Sequence, residues 1–153
     1  MDLIKKIAPV VEIICGLNIA ILLAVPGEKG TFYGDFFPLI SFSILALLYF
    51  LYSRTSVSTS SSNKFDRFVE VINYLGLSVL MLGVLFTYML YPGYQTLVMA
   101  GLVATLVTMI ALVLLRNKES KNFQRFKLPL LRSGVALLIA LALMSMSLSS
   151  IGN

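Results

Sequence analysis

The sequence contains no histidine, no tryptophan and a single cysteine, Cys15. Without histidine, the chain cannot build a Ser-His-Asp triad, ligate haem through imidazole or form the common zinc sites. A lone cysteine likewise excludes an intrachain disulfide and a thiolate metal cluster. These absences predict a protein without catalytic residues, without a metal site and without a cofactor.

Charged residues are also scarce. Only 12% of the 153 residues are charged, whereas 58% are hydrophobic, and the mean hydropathy is +0.92. The core of a water-soluble protein cannot bury so much apolar surface. The composition predicts an integral membrane protein in which residues 1–153 form one membrane domain, with the lipid bilayer as a partner.

Long apolar runs follow one another along the chain. A membrane-spanning helix needs roughly 20 mostly apolar residues. A cleaved signal peptide is disfavoured for the first run because Pro9, Glu12 and Asn18 interrupt it. The predicted fold class is therefore all-α, a polytopic transmembrane helical bundle with five spans. These lie at about residues 7–25, 36–52, 69–91, 96–115 and 130–150.

The lysine and arginine residues predict the orientation of these spans. The chain has 12 of them and a net charge of +5. In the five-span scheme, all of them except Lys29 lie on the same side of the membrane as the N-terminus. Because positive charge accumulates on the cytoplasmic side, the N-terminus is predicted inside and the C-terminus outside. Anionic lipids at the cytoplasmic face account for the basic surface, so no nucleic acid is expected as a partner.

Two cytoplasmic loops connect the spans. Residues 53–63 are rich in serine and threonine, which predicts a flexible loop. Residues 116–127 alternate basic groups with phenylalanine and form either a short helix at the lipid surface or a solvated basic connector. The basic residues assigned to the lipid surface are Lys118, Lys121, Arg125 and Lys127.

A few polar side chains fall inside the predicted spans, where burial in hydrocarbon requires a reason. They are Glu12, Asn18, Glu70, Asn73 and Arg132. Spans one, three and five all begin in the cytoplasm, so all of these residues except Asn18 lie at similar depth. We expect Glu12 to neutralise Arg132, with Glu70 as the competing partner and Asn73 supplying hydrogen bonds. Such a cluster either attaches helices to one another or lines a proton or ion pathway, and Arg132 has the further option of snorkelling to the headgroups.

Small residues recur at helical spacing in the last three spans and predict close packing between helices. Such faces pack within the bundle or against a further subunit. The candidate protein partners are therefore a second copy of the chain or another membrane protein. The residues assigned to helix packing are Gly76, Gly83, Ala100, Gly101, Ala104, Thr108, Ala136 and Ala140.

Spans three and four are joined by Tyr91-Pro92-Gly93-Tyr94, which predicts a tight turn between antiparallel helices. The surrounding stretch 82–102, LGVLFTYMLYPGYQTLVMAGL, resembles the membrane hairpin of the gliding-motility and type 9 secretion motor-ring family of Bacteroidota. The shared features are a Gly-x-Leu-Phe helix end, an aromatic-Pro-Gly turn and a glycine in the next helix. The resemblance implies a hairpin in a bacterial inner membrane.

Two departures limit what this resemblance implies. The family carries an intramembrane glutamate, whereas the fourth span here has no ionisable residue, and it combines two spans with a long cytoplasmic domain that this sequence lacks. Motor activity is therefore not carried over. We expect a non-catalytic accessory, scaffold or assembly subunit that acts through helix packing. The alternative is a small oligomeric transporter or channel with a polar path near Glu12 and Arg132, and a lipid-modifying enzyme is the third hypothesis.

Overall fold

The chain is all-α in its computed structural model, which describes residues 2–24, 32–55, 64–118 and 123–151. A π-helical turn, Phe32–Phe36, leads directly into the second helix. The predicted fold class is confirmed in its coarse form, a bundle of helices. The helices are α1 (Asp2–Ala24), α2 (Phe37–Thr55), α3 (Lys64–Met89), α4 (Tyr94–Lys118) and α5 (Phe123–Ile151).

Three helical segments are long and apolar enough to cross a membrane. They are Gly34–Thr55, Lys64–Met89 and Tyr94–Leu115, and α1 contributes the shorter apolar segment Ile7–Leu22. Each of the three exceeds the roughly 20 residues that the hydrocarbon layer requires. By length and composition, the protein is therefore a membrane protein.

The helices extend beyond the predicted loop boundaries. α2 continues to Thr55, so the first three residues of the predicted flexible loop at 53–63 are helical. Ser53 and Thr55 are accommodated because their hydroxyls donate to carbonyl oxygens one turn earlier in the same helix. The rest of that loop, 56–63, lies outside the described residues.

The predicted basic loop at 116–127 is also corrected. α4 ends at Lys118 and α5 begins at Phe123, so helical structure occupies both ends of this segment. The discrepancy has a simple cause. Hydropathy marks where hydrocarbon ends, whereas a helix continues beyond that boundary for as long as its backbone can form hydrogen bonds.

α3 lies at the centre of the bundle. It packs against α4, α2 and α5, while α1 packs on α2 and α4 packs on α5. Leu77 and Leu80 of α3 are fully buried, and they join one core cluster with Phe42 of α2 and with Ala136 and Ala140 of α5. The central helix therefore holds its neighbours through one shared apolar core.

The outward faces of the other four helices are apolar as well. Exposed residues include Leu17 of α1, Leu47 of α2, Leu114 of α4 and Leu138 of α5. Water would not tolerate an apolar surface that extends over four helices, whereas lipid tails solvate it. This distribution agrees with the membrane character of the three long apolar segments.

Glycines bring α3 and α4 into backbone contact. A Cβ added to Gly83 would lie 2.7 Å from the backbone nitrogen of Val98, and one added to Gly101 would lie 2.6 Å from Cα of Leu80. Gly76 faces α4 less tightly, with its nearest neighbour at 3.2 Å. The hairpin therefore has close contacts at several heights, and two of them leave no room for a methyl group.

The turn that closes this hairpin is a Schellman motif. The Leu90 amide donates to the Thr87 carbonyl at 3.2 Å, and the Tyr91 amide donates to the Phe86 carbonyl at 2.9 Å. The Phe86 and Tyr91 rings meet edge to face, 5.5 Å apart, which supplies the apolar contact of the motif. Leu90 has φ 56°, in the left-handed region that usually holds glycine, and Gly93 follows at φ 85°.

We expect Gly83→Ala and Gly101→Ala each to lower the free energy of unfolding by roughly 1–3 kcal/mol, because the added methyl group forces the two helices apart. Gly16→Ala and Gly134→Ala are matched controls, since a Cβ at either position meets no described atom within 4 Å. The measurement is unfolding in detergent micelles, followed by circular dichroism. Equal effects at all four glycines would contradict the close contact.

Candidate functional site

Arg132 is a buried arginine in the first half of α5. Its side chain exposes 12% of its surface, and that of Glu12 on α1 exposes 17%. Nε and Nη2 of Arg132 donate to Oε2 of Glu12 at 3.1 and 3.0 Å, and Oε1 lies 2.9 Å from Nε. A charge removed from water requires such a partner, and Glu12 supplies it.

Two tyrosines complete the environment of this arginine. Nη1 of Arg132 donates to the Tyr74 hydroxyl on α3, and Nη2 donates to the Tyr52 hydroxyl on α2, both at 3.2 Å. The two tyrosine rings stack with centroids 5.4 Å apart. The guanidinium carbon lies 4.6 Å from the centre of the Tyr52 ring, within the range of a cation–π interaction.

These contacts join four helices at one side chain. Glu12, Tyr52, Tyr74 and Arg132, hereafter the arginine cluster, come from α1, α2, α3 and α5. Four of the five guanidinium N–H groups have acceptors. The planar guanidinium can reach partners in several directions at once, which the point charge of a lysine would do less well.

A second polar contact includes α4, which does not contribute to the arginine cluster. Asn73 of α3 is fully buried, and its Oδ1 lies 3.0 Å from the hydroxyls of both Thr108 on α4 and Ser133 on α5. The same hydroxyls lie 2.8 and 2.9 Å from the carbonyls of Ala104 and Pro129, and that of Thr108 also lies 3.1 Å from the Thr105 carbonyl, so each hydroxyl has more acceptors than its single proton can serve. Asn73 Nδ2 has no hydrogen-bond partner among the described residues.

The five predicted polar residues do not form one cluster. The structure pairs Glu12 with Arg132, which is the pairing that the sequence analysis favours over Glu70. Asn73 bonds to Thr108 and Ser133 instead of to the ion pair, although Ser133 directly follows Arg132 in the chain. Glu70 is buried on α3, one turn before Asn73. Asn18 is half-buried on α1, about 9 Å of helical rise beyond Glu12.

Most residues assigned to helix packing lie at helix contacts, but Ala100 does not. It is exposed, so it does not pack within the bundle, and packing of Ala100 against a further subunit stays a prediction. Ala100 lies roughly 120° around the helix from the buried face. That face is formed by Val98, Gly101, Thr105, Thr108 and Leu112. Gly76, Gly83, Ala136 and Ala140 are buried, and Ala104 is half-buried.

The basic residues assigned to the lipid surface are described only in part. Lys127 is exposed near the start of α5. Lys118 and Arg125 lie in the terminal turns of α4 and α5. Lys121 lies outside the described residues. Their contact with anionic lipid stays a prediction.

Sequence reasoning did not identify Tyr52, Tyr74 and Ser133 as site residues. Tyr52 ends the second predicted span, where a tyrosine is typical of the membrane–water interface. One signal was available, because a guanidinium has five donors and a single carboxylate cannot satisfy them all. A tyrosine inside an apolar span also needs a partner for its hydroxyl.

The arrangement is suited to holding helices together. Its donors point at side chains of neighbouring helices, and its members come from four separate parts of the chain. In the part of the chain that the structure describes, no three acidic or sulfur side chains converge as metal ligands. The single thiol, Cys15, is buried in the apolar core.

Comparison with known protein families, with curated proteins and with solved structures finds no match for this chain. Its function has to be inferred from its own geometry.

We expect Arg132→Leu and Glu12→Gln each to lower the free energy of unfolding by about 3 kcal/mol, because each leaves one buried partner uncompensated. The double variant removes both and should lose less than the sum, with a coupling of about 1–3 kcal/mol. The measurement is unfolding in mixed detergent micelles by an increasing fraction of a denaturing detergent.

Arg54→Leu is the matched control, since Arg54 is an exposed arginine at the end of α2 that lies over the Phe50 ring. Its effect should stay within about 0.5 kcal/mol and should add to that of Glu12→Gln. Strict additivity of Arg132→Leu with Glu12→Gln would show that the two residues do not stabilise each other.

Proposed function

We propose that the chain is a five-span protein of a bacterial inner membrane, with its N-terminus in the cytoplasm and its C-terminus outside. Three long apolar segments support this, and α1 and α5 also carry exposed apolar faces. The orientation rests on the lysine and arginine residues, of which only Lys29 would lie outside. The inner-membrane assignment rests on the resemblance of the hairpin.

The function that the geometry supports best is that of a non-catalytic accessory, scaffold or assembly subunit. The observation that carries this proposal is the use of Arg132, whose donors are directed at Glu12, Tyr52 and Tyr74 on three other helices. A transport residue has to exchange partners during a cycle. Arg132 is instead held by several partners at once, which favours one fixed arrangement of helices.

Such a bundle acts through its surfaces. The exposed faces of α1, α2, α4 and α5 contact lipid, a second copy of the chain or another membrane subunit. The basic ends of the helices contact anionic headgroups at the cytoplasmic face, where each positive charge contributes about 1 kcal/mol. No cofactor or nucleic acid is required for this role.

One observation favours the second candidate, a small oligomeric transporter or channel. Oε1 of Glu12 receives no aligned hydrogen bond from the described residues, although it lies 2.9 Å from Nε of Arg132. That buried oxygen keeps a lone pair without an aligned donor, and a transported proton would use it. This candidate makes Glu12 the residue on which flux depends.

The topology is tested with reporters fused to the two ends of the chain. A cytoplasm-dependent reporter should be active only at the N-terminus, and a reporter that requires export should be active only at the C-terminus. A reporter inserted within residues 56–63 serves as an internal control and should report the cytoplasm. Activity of the same reporter at both ends would rule out an odd number of spans.

The two candidate functions are separated in proteoliposomes that contain a pH-sensitive dye. If the chain is a subunit without transport activity, proteoliposomes with the wild type and with Glu12→Gln should both show the same proton leak as protein-free vesicles. It should also copurify from native membranes with another membrane protein in fixed proportion, or as an oligomer of itself. A proton flux that the wild type supports and Glu12→Gln abolishes would establish the transporter and overturn the subunit role.

A further inference from the structure

A groove of about 440 Å³ lies where α2 begins and α3 ends. One wall is formed by the π-helical turn and the start of α2, with Asp35, Phe36 and Leu39. The other wall is formed by the end of α3 and the following turn, and includes Tyr88 and Tyr91. The volume falls within the range of roughly 300–1,000 Å³ that is typical of small-molecule sites.

Both walls have irregular backbone. On one side lies the π-helical turn Phe32–Phe36. The π-helical conformation is rare in proteins, and where it occurs it is often found at a functional site. On the other side Leu90, which also lines the groove, has φ 56°. The left-handed conformation of Leu90 belongs to the Schellman turn that ends α3.

The two walls are fixed to each other. The hydroxyl of Tyr88 donates to the carbonyl of Gly34 at 2.7 Å, directly before Asp35 in the chain. The ring of Tyr91 is held by its edge contact with Phe86. The carboxylate and the aromatic side chains are therefore presented by segments whose positions are defined before any ligand binds.

The lining of the groove has the chemistry of a cation site. Its lining residues include the acidic Asp35 and the aromatic Phe36, Tyr88 and Tyr91, and none of the described residues that line it is positively charged. Aromatic faces attract ammonium groups, and quaternary ammonium ligands are commonly held in this way. Leu39 and Leu90 add apolar surface beside the charged group.

The position of the groove indicates which cations reach it. Asp35 lies about 25 Å of helical rise from Tyr52, so the groove and the arginine cluster lie at opposite ends of α2. Phe36, Leu90 and Tyr91 at its rim are exposed. Tyrosines at such a depth are typical of the boundary between hydrocarbon and headgroups.

We propose that this groove binds the ammonium group of an amphiphile, with Asp35 facing the charge, aromatic rings around it and the apolar chain along α2. In the five-span orientation, the source is a zwitterionic phospholipid of the outer leaflet. A small free ammonium compound shares the same chemistry. Binding does not depend on the role of Arg132 or on the subunit function.

The test is native mass spectrometry of the purified protein, titrated with phosphatidylethanolamine or with phosphatidylglycerol of the same acyl chains. Phosphatidylethanolamine should bind more tightly, and both Asp35→Asn and Tyr91→Leu should weaken its binding about three- to thirtyfold. Asp35→Glu retains the carboxylate and should lose less. Tyr94→Leu is the matched control, since Tyr94 is a neighbouring tyrosine that does not line the groove.

Competition with free ethanolamine and tetramethylammonium identifies the source of the ligand. Displacement of the lipid at millimolar concentration assigns the site to ammonium compounds in general. If the lipid stays bound in the presence of these compounds, and its binding still depends on Asp35, the site is assigned to phospholipid. Equal binding of the two lipids, or lipid binding that both Asp35→Asn and Tyr91→Leu leave unchanged in folded protein, would overturn the proposal. If the Asp35 variants unfold, Tyr91→Leu still tests the proposal, because Tyr91 is an exposed residue.

Discussion

A buried guanidinium has to find acceptors, and this requirement organises the bundle. Removal of a charge from water costs several kcal/mol, and only partners in good geometry offset that penalty. Arg132 obtains these partners from three other helices, through Glu12, Tyr52 and Tyr74. Any arrangement that separates α1, α2 or α3 from α5 leaves donors unsatisfied in an apolar environment. We therefore expect the ion pair to favour this packing over others that bury a similar apolar surface.

The α3–α4 hairpin follows a different constraint, which is steric. Gly83 and Gly101 let the two backbones approach to a distance that no side chain permits. Lipid tails are as apolar as leucine, so association between helices in a membrane depends on close packing and on polar contacts. Asn73 adds such a contact at another height of the same hairpin. The bundle thus combines a polar junction on one side of α3 with a close-packed interface on the other.

The coarse fold was predictable because hydropathy reports long apolar segments directly. The tight turn was predictable as well, since Pro92 and Gly93 favour it. Helix ends were not, because α2 continues to Thr55 and α4 to Lys118 without any change that hydropathy detects. The exposure of Ala100 could not be predicted, because α4 contains two overlapping small-residue stripes and only the rotation of that helix decides which one is buried.

The site was predictable as far as depth along a helix determines contact. In the five-span scheme, Glu12 and Arg132 lie at similar depth in spans that begin on the same side, and this scheme is what predicted their pairing. Tyr52 and Tyr74 could not be assigned to the arginine cluster from the sequence, because tyrosine occurs both at the membrane boundary and in the interior of helical bundles. Which of the two applies depends on how the helices are rotated, and no single-helix pattern contains that information.

The order of the arginine cluster along the chain bears on biosynthesis. Glu12, Tyr52 and Tyr74 all precede Arg132, so their helices leave the ribosome before the cation that binds them. Until α5 enters the bundle, the carboxylate of Glu12 lacks this counter-ion and the first helices lack their common connection. Arrival of α5 is therefore the step that completes the arginine cluster, and a nascent chain halted before it leaves the Glu12 carboxylate without its cation.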